Sequence, residues 1–202
     1  VPASVTSIGA WAFENPYYDN GNKSYLTSVT FTGTGVTEIP EGCFIYQKSL
    51  SSINLPEGVT TIGADAFNQC QISALTLPSS LEVIGQRAFS NNGITSLVIP
   101  DKVKRIDFSA FAYNDLETID LPASIEVLAS TAFHWESTAL KTVNAAPRTG
   151  DADAYTDDLG SYTYPAFIRI NKANVILKVP AASVEEYKTA WGSYFSSVEA
   201  IE

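Results

Sequence analysis

The sequence is poor in the residue types on which many metal and catalytic sites depend. It contains one histidine, His134, two cysteines, Cys43 and Cys70, and no methionine. These three side chains lie far apart in the sequence and cannot supply the four nitrogen or sulfur ligands of a structural zinc site. Two cysteines also cannot form the disulfide framework of a small secreted domain. We interpret both as small buried hydrophobic residues, and a single bridge between them stays open as an alternative.

Basic residues and long apolar runs are scarce as well. The chain has 22 acidic and 12 basic residues, which gives a net charge of −10. This charge opposes binding to a phosphate backbone, so we expect no nucleic-acid partner. No run approaches the roughly 20 apolar residues that span a bilayer, so we predict no membrane-spanning segment in this chain.

The sequence signatures of common catalytic sites are missing too. There is no P-loop, no dinucleotide-binding fingerprint and no nucleophile elbow around His134. Glu117 and Asp120 can both face outward from one strand, but outward positions of a repeat are ordinarily solvated. We therefore predict a protein that is not an enzyme and that needs no cofactor.

A six-residue unit, apolar-x-x-x-small-Phe, recurs along the chain. Its copies are IGAWAF, IPEGCF, IGADAF, IGQRAF, IDFSAF and LASTAF, which end at Phe13, Phe44, Phe67, Phe89, Phe111 and Phe133. The phenylalanines are 22 or 23 residues apart, except in the first interval, which carries an insertion. This period is typical of leucine-rich repeats. We expect each phenylalanine to point inward after a short helical or 3-10 turn.

A second unit, L-x-x-L-x-L followed by proline, lies between these copies. It appears as LSSINLP, ISALTLP, ITSLVIP and LETIDLP. Alternating apolar residues predict one short strand per repeat, and the proline ends it because it cannot donate to a ladder. One coil cannot bury its apolar side alone, so stability requires coils to stack on their neighbours.

The two units together resemble the BspA-like leucine-rich-repeat family of bacterial surface proteins. The resemblance covers nearly the whole chain and implies an α/β solenoid. In that fold a right-handed coil has one short parallel strand per 22–23-residue repeat, short helical turns and a C-terminal capping helix. It also implies a cell-surface or secreted location, and adhesion to host or neighbouring-cell proteins such as extracellular-matrix components. Because the chain begins inside a repeat, we expect that a signal or lipoprotein segment preceded it.

The pattern divides the chain into three parts. We predict about six repeats over residues 1–145, an irregular acidic and tyrosine-rich segment with a degenerate repeat over 146–174, and a last strand with a cap over 175–202. Phe167 belongs to the degenerate repeat. Ser183 and Glu186 form an S-x-x-E pattern that predicts a capping box. The helix that follows is expected to close the solenoid with apolar side chains, at Tyr187, Trp191, Tyr194 and Phe195.

The irregular segment contains a candidate calcium site with little support from its sequence pattern. Four carboxylates lie close together there, at Asp151, Asp153, Asp157 and Asp158. Calcium takes six to eight oxygen ligands, and this run lacks the third acidic position, the glycine and the terminal glutamate of an EF-hand loop. A solvated acidic loop is the simpler interpretation.

Two groups of residues are candidates for ligand binding. One group occupies exposed strand positions, among them Thr76, Ser96, Thr118 and Asp120, and suits an extended protein partner. The other group is aromatic and lies two residues after the phenylalanines, at Tyr46, Tyr113 and Trp135. We predict a protein-binding scaffold; a glycan-binding accessory protein and a structural stalk without a ligand are the alternatives.

Overall fold

The computed structural model describes residues 1–16, 24–129, 131–134, 140–145, 167, 170 and 172–201. Over these residues the chain winds into a solenoid whose strands all pair in parallel, as the resemblance implied. In chain order the elements are β1 (Ser28–Thr30), β2 (Glu38–Ile39), β3 (Ser52–Asn54), β4 (Thr61–Ile62), β5 (Val83–Ile84), β6 (Leu97–Val98), β7 (Arg105–Ile106), β8 (Thr118–Leu121), β9 (Val127–Leu128), β10 (Thr142–Ala145), β11 (Ile176–Pro180), α1 (Val184–Trp191) and β12 (Ser197–Ile201).

The L-x-x-L-x-L units form one side of the solenoid, which we call the strand face. Strand β1 pairs with β3, and β6, β8, β10, β11 and β12 form a five-stranded sheet in that order. The coil between these two sheets contributes the isolated bridge from Ala74 to Ser96. Apolar residues such as Ile53 and Ile119 point into the core, while their strand neighbours are exposed.

A second strand in each repeat was not predicted. Strands β2, β4, β5, β7 and β9 form a separate five-stranded parallel sheet from the residues that open each six-residue unit. Each is two residues long, for example Thr61–Ile62, and only its second residue is fully buried. The expectation of one strand per repeat was therefore incomplete, because two residues are too few to show an alternation in the sequence.

The phenylalanines form a continuous stacked column through the core. Neighbouring rings from Phe13 to Phe133 are nearly parallel, with centroids 5.1 to 5.6 Å apart. Phe167 extends the column, since its ring stacks on Phe133 at 5.4 Å, as expected for a degenerate repeat. Phe195 ends the column with an edge-on contact to Phe167 at 5.4 Å.

The segment before each phenylalanine is not the helical or 3-10 turn that we expected. It consists instead of hydrogen-bonded turns, such as those that Ala66 closes on Gly63 and Asn68 closes on Asp65. Positive φ recurs at two positions of the repeat: the fourth position of the unit in all six copies, and the residue two after the phenylalanine in the four copies from Phe44 to Phe111. The residues are Trp11, Gly42, Asp65, Arg87, Ser109 and Thr131 at the first position, and Tyr46, Gln69, Asn91 and Tyr113 at the second.

Polar side chains join the coils inside the core. Asn92 and Asn114 each donate from Nδ2 to two phenylalanine carbonyls, one in their own coil and one in the coil before. Cys70 Sγ lies 3.2 Å from the Phe44 carbonyl, and Gln47 Nε2 donates to the Phe13 carbonyl at 2.7 Å. Gln47 occupies the position that Cys70, Asn92 and Asn114 hold in later coils, and its longer side chain reaches the same type of acceptor.

The C-terminal cap packs on the last coil, but the capping box predicted at Ser183 does not form. Tyr187 and Phe195 are buried, and Val184 and Tyr194 pack against the core. Ser183 makes no side-chain capping hydrogen bond, so the predicted capping box is wrong. The reason is local: Ala181–Ser183 already forms a 3-10 turn that runs directly into α1, and Ser183 has helical rather than extended backbone angles. The side chain of Trp191 lies outside the described residues.

Candidate binding surfaces

The strand face displays small polar side chains in rows. The predicted residues Thr76, Ser96, Thr118 and Asp120 are all exposed. The parallel register aligns Thr118 with Thr142, and Asp120 with Asn144. Asn144 Nδ2 donates to Asp120 Oδ1 along one row. The strand-face candidates therefore share one surface, as predicted.

Val98 departs from this polar character. Its side chain is 72% exposed and lies beside Asp120 in the register of β6 and β8. Thr76, Ser96, Val98 and Lys102 are among the residues that line a depression of about 660 Å³. This gives this part of the strand face a strongly exposed apolar side chain among hydroxyls, an arrangement that suits a protein surface better than a buried small molecule.

A second surface, which we call the turn groove, lies over the left-handed turns. It has a volume of about 800 Å³, and its described lining residues are Trp11, Glu14, Pro16, Ile45, Tyr46, Asp65, Asn68, Gln69, Arg87, Ser90, Asn91 and Tyr113. It contains none of the exposed strand-face residues. Tyr46 and Tyr113, predicted as binding residues, thus line one groove, while the predicted strand residues lie elsewhere. Trp135 and the four aspartates of the proposed calcium site lie outside the described residues.

An ion pair forms part of the floor of the turn groove. Arg87 Nε and the Nη2 atom donate to the two carboxylate oxygens of Asp65, at 2.8 and 2.7 Å. Asp65 is buried and also accepts a bond of 2.8 Å from Asn68 Nδ2. The hydrogen bond to Asp65 raises the pKa of Arg87, and the charge of Asp65 acts in the same direction. The guanidinium is therefore fixed in orientation, with part of its surface facing solvent.

Several residues of this groove were not predicted from the sequence. Trp11, Asp65 and Arg87 occupy the same position in different repeats, and that position has positive φ in every described copy. One signal of this left-handed position is visible in the sequence, the glycine at Gly42. In the structure, a Cβ atom on Gly42 would overlap the ring of Trp11. Tyr46 and Tyr113 are three coils apart, so they flank the groove rather than stack on each other. Tyr113 instead has a tilted ring contact with His134 at 5.6 Å.

The cysteines form no reactive site. Cys43 and Cys70 are both free and buried, so the alternative of a bridge between them does not occur in this structure. Burial raises the pKa of each thiol to about 12. A thiol with such a pKa has almost no thiolate at neutral pH, and the thiolate is the nucleophile.

We therefore expect both thiols to resist alkylation at pH 8 in the native protein and to react fully in denaturant. Mass spectrometry after a timed iodoacetamide pulse measures this directly. A Ser52→Cys variant, with its new thiol on the exposed strand face, supplies a matched reactive control. Rapid native labelling of Cys43 or Cys70 would contradict the burial described above.

The described residues also bear on metals and membranes. They contain no group of three or more histidine, cysteine, aspartate or glutamate side chains arranged to hold a metal ion. Among the same residues, no helix has the length and apolar character required to cross a membrane.

Comparison with known proteins identifies the repeats. The family model of the BspA-type leucine-rich repeat region matches residues 18–141 of this chain with six copies. This chain belongs to the BspA-type leucine-rich-repeat family. The match includes both Tyr46 and Tyr113, so both tyrosines lie in repeats of this family. No match was found among curated protein sequences.

Two solved structures resemble this BspA-type chain. The pneumococcal vaccine antigen PcpA matches with a TM-score of 0.63 and 22% identity over 87% of this chain and 41% of that one. A leucine-rich repeat protein from Bacteroides ovatus matches with a TM-score of 0.47 and 17% identity over 86% of this chain and 51% of that one. The chain thus spans about half or less of each neighbour. At this identity the PcpA match supports the fold alone.

Proposed function

We propose that this BspA-type repeat chain is a non-enzymatic, adhesin-like module. It acts at a cell surface or after secretion and binds a protein of a host or neighbouring cell, such as an extracellular-matrix component. The observation that carries this proposal is the strand face, where Val98 lies exposed among the hydroxyls of Thr76, Ser96 and Thr118. The repeat family and the PcpA-like fold support a scaffold rather than a catalyst.

The chemistry of the strand face favours an extended protein segment as the partner. Its strands already pair with neighbours on both sides from β8 to β11, so their backbone groups are not available for a further strand. Recognition over β8 to β11 must therefore use side chains. Short hydroxyl side chains lose little conformational entropy on binding, and Val98 supplies an apolar contact.

Substituting Thr118 with arginine tests this surface. We expect Thr118→Arg to weaken binding to the recognised protein by about tenfold or more, because a bulky charge is introduced into the interface. Binding would be measured by surface plasmon resonance against immobilised fibronectin, laminin and collagens. Thr118 is exposed and its side chain makes no described hydrogen bond, so the fold is not expected to change.

Thr37→Arg is the matched control. Thr37 is also exposed but precedes β2, which belongs to the other sheet, so the same substitution leaves the strand face unchanged. Equal loss of binding in both variants, or in neither, would contradict the proposed location. If the chain bound none of the proteins on the panel, the proposed matrix-protein partner would be wrong and the structural stalk would be favoured.

A further inference from the structure

The turn groove has the size of a ligand site and lies apart from the strand face. Its volume of about 800 Å³ falls within the range of roughly 300–1,000 Å³ that is typical of ligand pockets. Tyr46 and Tyr113 flank it from coils that are three repeats apart, or about 15 Å at the usual spacing of stacked strands. The groove is therefore long enough for several monomer units of a linear ligand.

Backbone groups in the floor of the groove are already paired. The amides of Tyr46, Gln69, Asn91 and Tyr113 each donate to the carbonyl of a residue in the next coil, at 2.9 Å in every case. The amide of Asp65 does the same at 2.7 Å. A peptide cannot add to this ladder as a strand, because the ladder has no unpaired edge along the groove. A ligand must be recognised by side chains.

The side chains in the groove combine aromatic rings with planar polar groups. Trp11 and Tyr113 are 42% and 44% exposed, so ring surface is available at both ends. Arg87 uses two of its five N–H donors on Asp65, and its side chain is 42% exposed. The side-chain amides of Gln69 and Asn91 belong to residues between the aromatic ends. Both residues occupy left-handed positions that the inter-coil hydrogen bonds fix.

The charge of the groove disfavours an acidic ligand. Its described charged residues are Glu14, Asp65 and Arg87, so two carboxylates face one guanidinium. Asp65 already neutralises Arg87, and the whole chain carries a net charge of −10. An anionic ligand would be repelled at long range and would find no unpaired cation in this floor.

We propose that the turn groove binds a neutral oligosaccharide of about three pyranose units. Pyranose rings have an apolar face that packs on aromatic rings and hydroxyls that pair with amides and guanidinium groups, which are the two kinds of side chain present here. One pyranose unit is about as long as the spacing of ~5 Å between coils, so successive units meet successive repeats. Trp11 with Tyr46 holds one end of the sugar, Tyr113 holds the other, and Gln69, Arg87 and Asn91 bond the hydroxyls between them.

The test is titration calorimetry of the full chain with neutral β-linked mono- to hexasaccharides of glucose, galactose, mannose and N-acetylglucosamine. We expect at least one series to bind saturably with a Kd below about 1 mM. Affinity should rise up to the trisaccharide and then level off. If no neutral series bound at that affinity, or if only acidic oligosaccharides bound, the proposal would be overturned.

The repeats themselves provide conservative substitutions for locating the site. Tyr46→Gln and Tyr113→Asn introduce the residues that Gln69 and Asn91 already place at the equivalent left-handed position, so the backbone strain is matched. We expect the double variant to bind sugar at least about tenfold more weakly while its circular dichroism and unfolding midpoint stay close to the parent values. Unchanged sugar affinity in this variant would place binding elsewhere and refute the proposal.

A second readout does not depend on the stability of that variant. Sugar binding should shift the fluorescence of the parent protein, and Trp11→Phe should remove most of this shift because Trp11 lines the groove. A full shift in Trp11→Phe would count against the site. Thr118→Arg should leave sugar affinity unchanged, since Thr118 lies on the strand face, so failure of the protein-binding proposal and failure of this one give different results.

Discussion

Replacing Phe89 with alanine is expected to lower the free energy of unfolding by about 3–5 kcal/mol. Phe89 is completely buried, and its ring stacks on Phe67 at 5.2 Å and on Phe111 at 5.5 Å. Truncation removes apolar burial and leaves a cavity at the centre of the column. The rigid inter-coil hydrogen bonds on either side limit how far the coils can collapse into it. Denaturant unfolding followed by circular dichroism would measure the change.

Phe13→Ala is the matched control for this prediction. Phe13 belongs to the same column but is 41% exposed, and within the described repeat column its ring stacks on Phe44 alone. The same truncation should therefore cost much less. If Phe13→Ala and Phe89→Ala were equally destabilising, the column would not derive its stability from burial between two neighbouring coils. Because stability in a solenoid is close to a sum of neighbour contacts, Phe89→Ala is also expected to broaden the transition.

The main features of the fold could be predicted because the repeats carry them redundantly. Each phenylalanine of the six-residue unit occurs at the same position in every copy, so a period was visible without any structural knowledge. The strand face was predictable for the same reason: apolar residues such as Leu75 and Leu77 alternate with exposed ones before a proline. Phe167, predicted to belong to a degenerate repeat, stacks on Phe133 although the sequence around it breaks the period.

The features that were missed depend on very short segments or on contacts between coils. Strand β4 has two residues, too few for any periodic signal. The left-handed turns escaped notice because Asp65, Arg87 and Thr131 occupy positions where glycine is the usual signal. The backbone can hold them there because each coil hydrogen-bonds to the next, and this tertiary constraint is invisible in a single repeat.

In the candidate sites, too, features that recur in the repeats could be predicted and features that depend on contacts between coils could not. Tyr46 and Tyr113 were singled out because aromatic residues recur at one repeat position, and the structure brings them to one groove. The ion pair between Asp65 and Arg87 was not predicted, although the two residues are one repeat apart. Oppositely charged residues at that spacing meet only if the coils stack in register and their side chains leave the turn on the same side. The inter-coil hydrogen bonds set the first condition, and the left-handed backbone at Asp65 and Arg87 sets the second.

Asn114 is the second position where we expect a large loss of stability, of about 3 kcal/mol on replacement by alanine. Its Nδ2 donates to the carbonyls of Phe89 and Phe111, both at 2.9 Å, and its Oδ1 accepts from the amide of Ile94 at 3.1 Å. The side chain is 3% exposed, so water cannot replace these bonds without opening the core. Asn114→Ala therefore leaves three buried backbone groups without this partner, and denaturant unfolding would detect the loss.

Two further variants separate this effect from the general cost of losing an asparagine. Asn54→Ala removes an exposed asparagine of the strand face and should change the unfolding free energy by less than about 0.5 kcal/mol. The loss of stability in Asn114→Cys should lie between the losses in Asn54→Ala and Asn114→Ala. The reason is that Cys70, at the equivalent position of an earlier repeat, places Sγ 3.2 Å from the Phe44 carbonyl. A thiol retains one weak donor but cannot serve the Ile94 amide as the carboxamide does. If Asn114→Cys proved as destabilising as Asn114→Ala, the donated bonds would contribute little. The stability of this position would then reside in the bond that Asn114 accepts from Ile94.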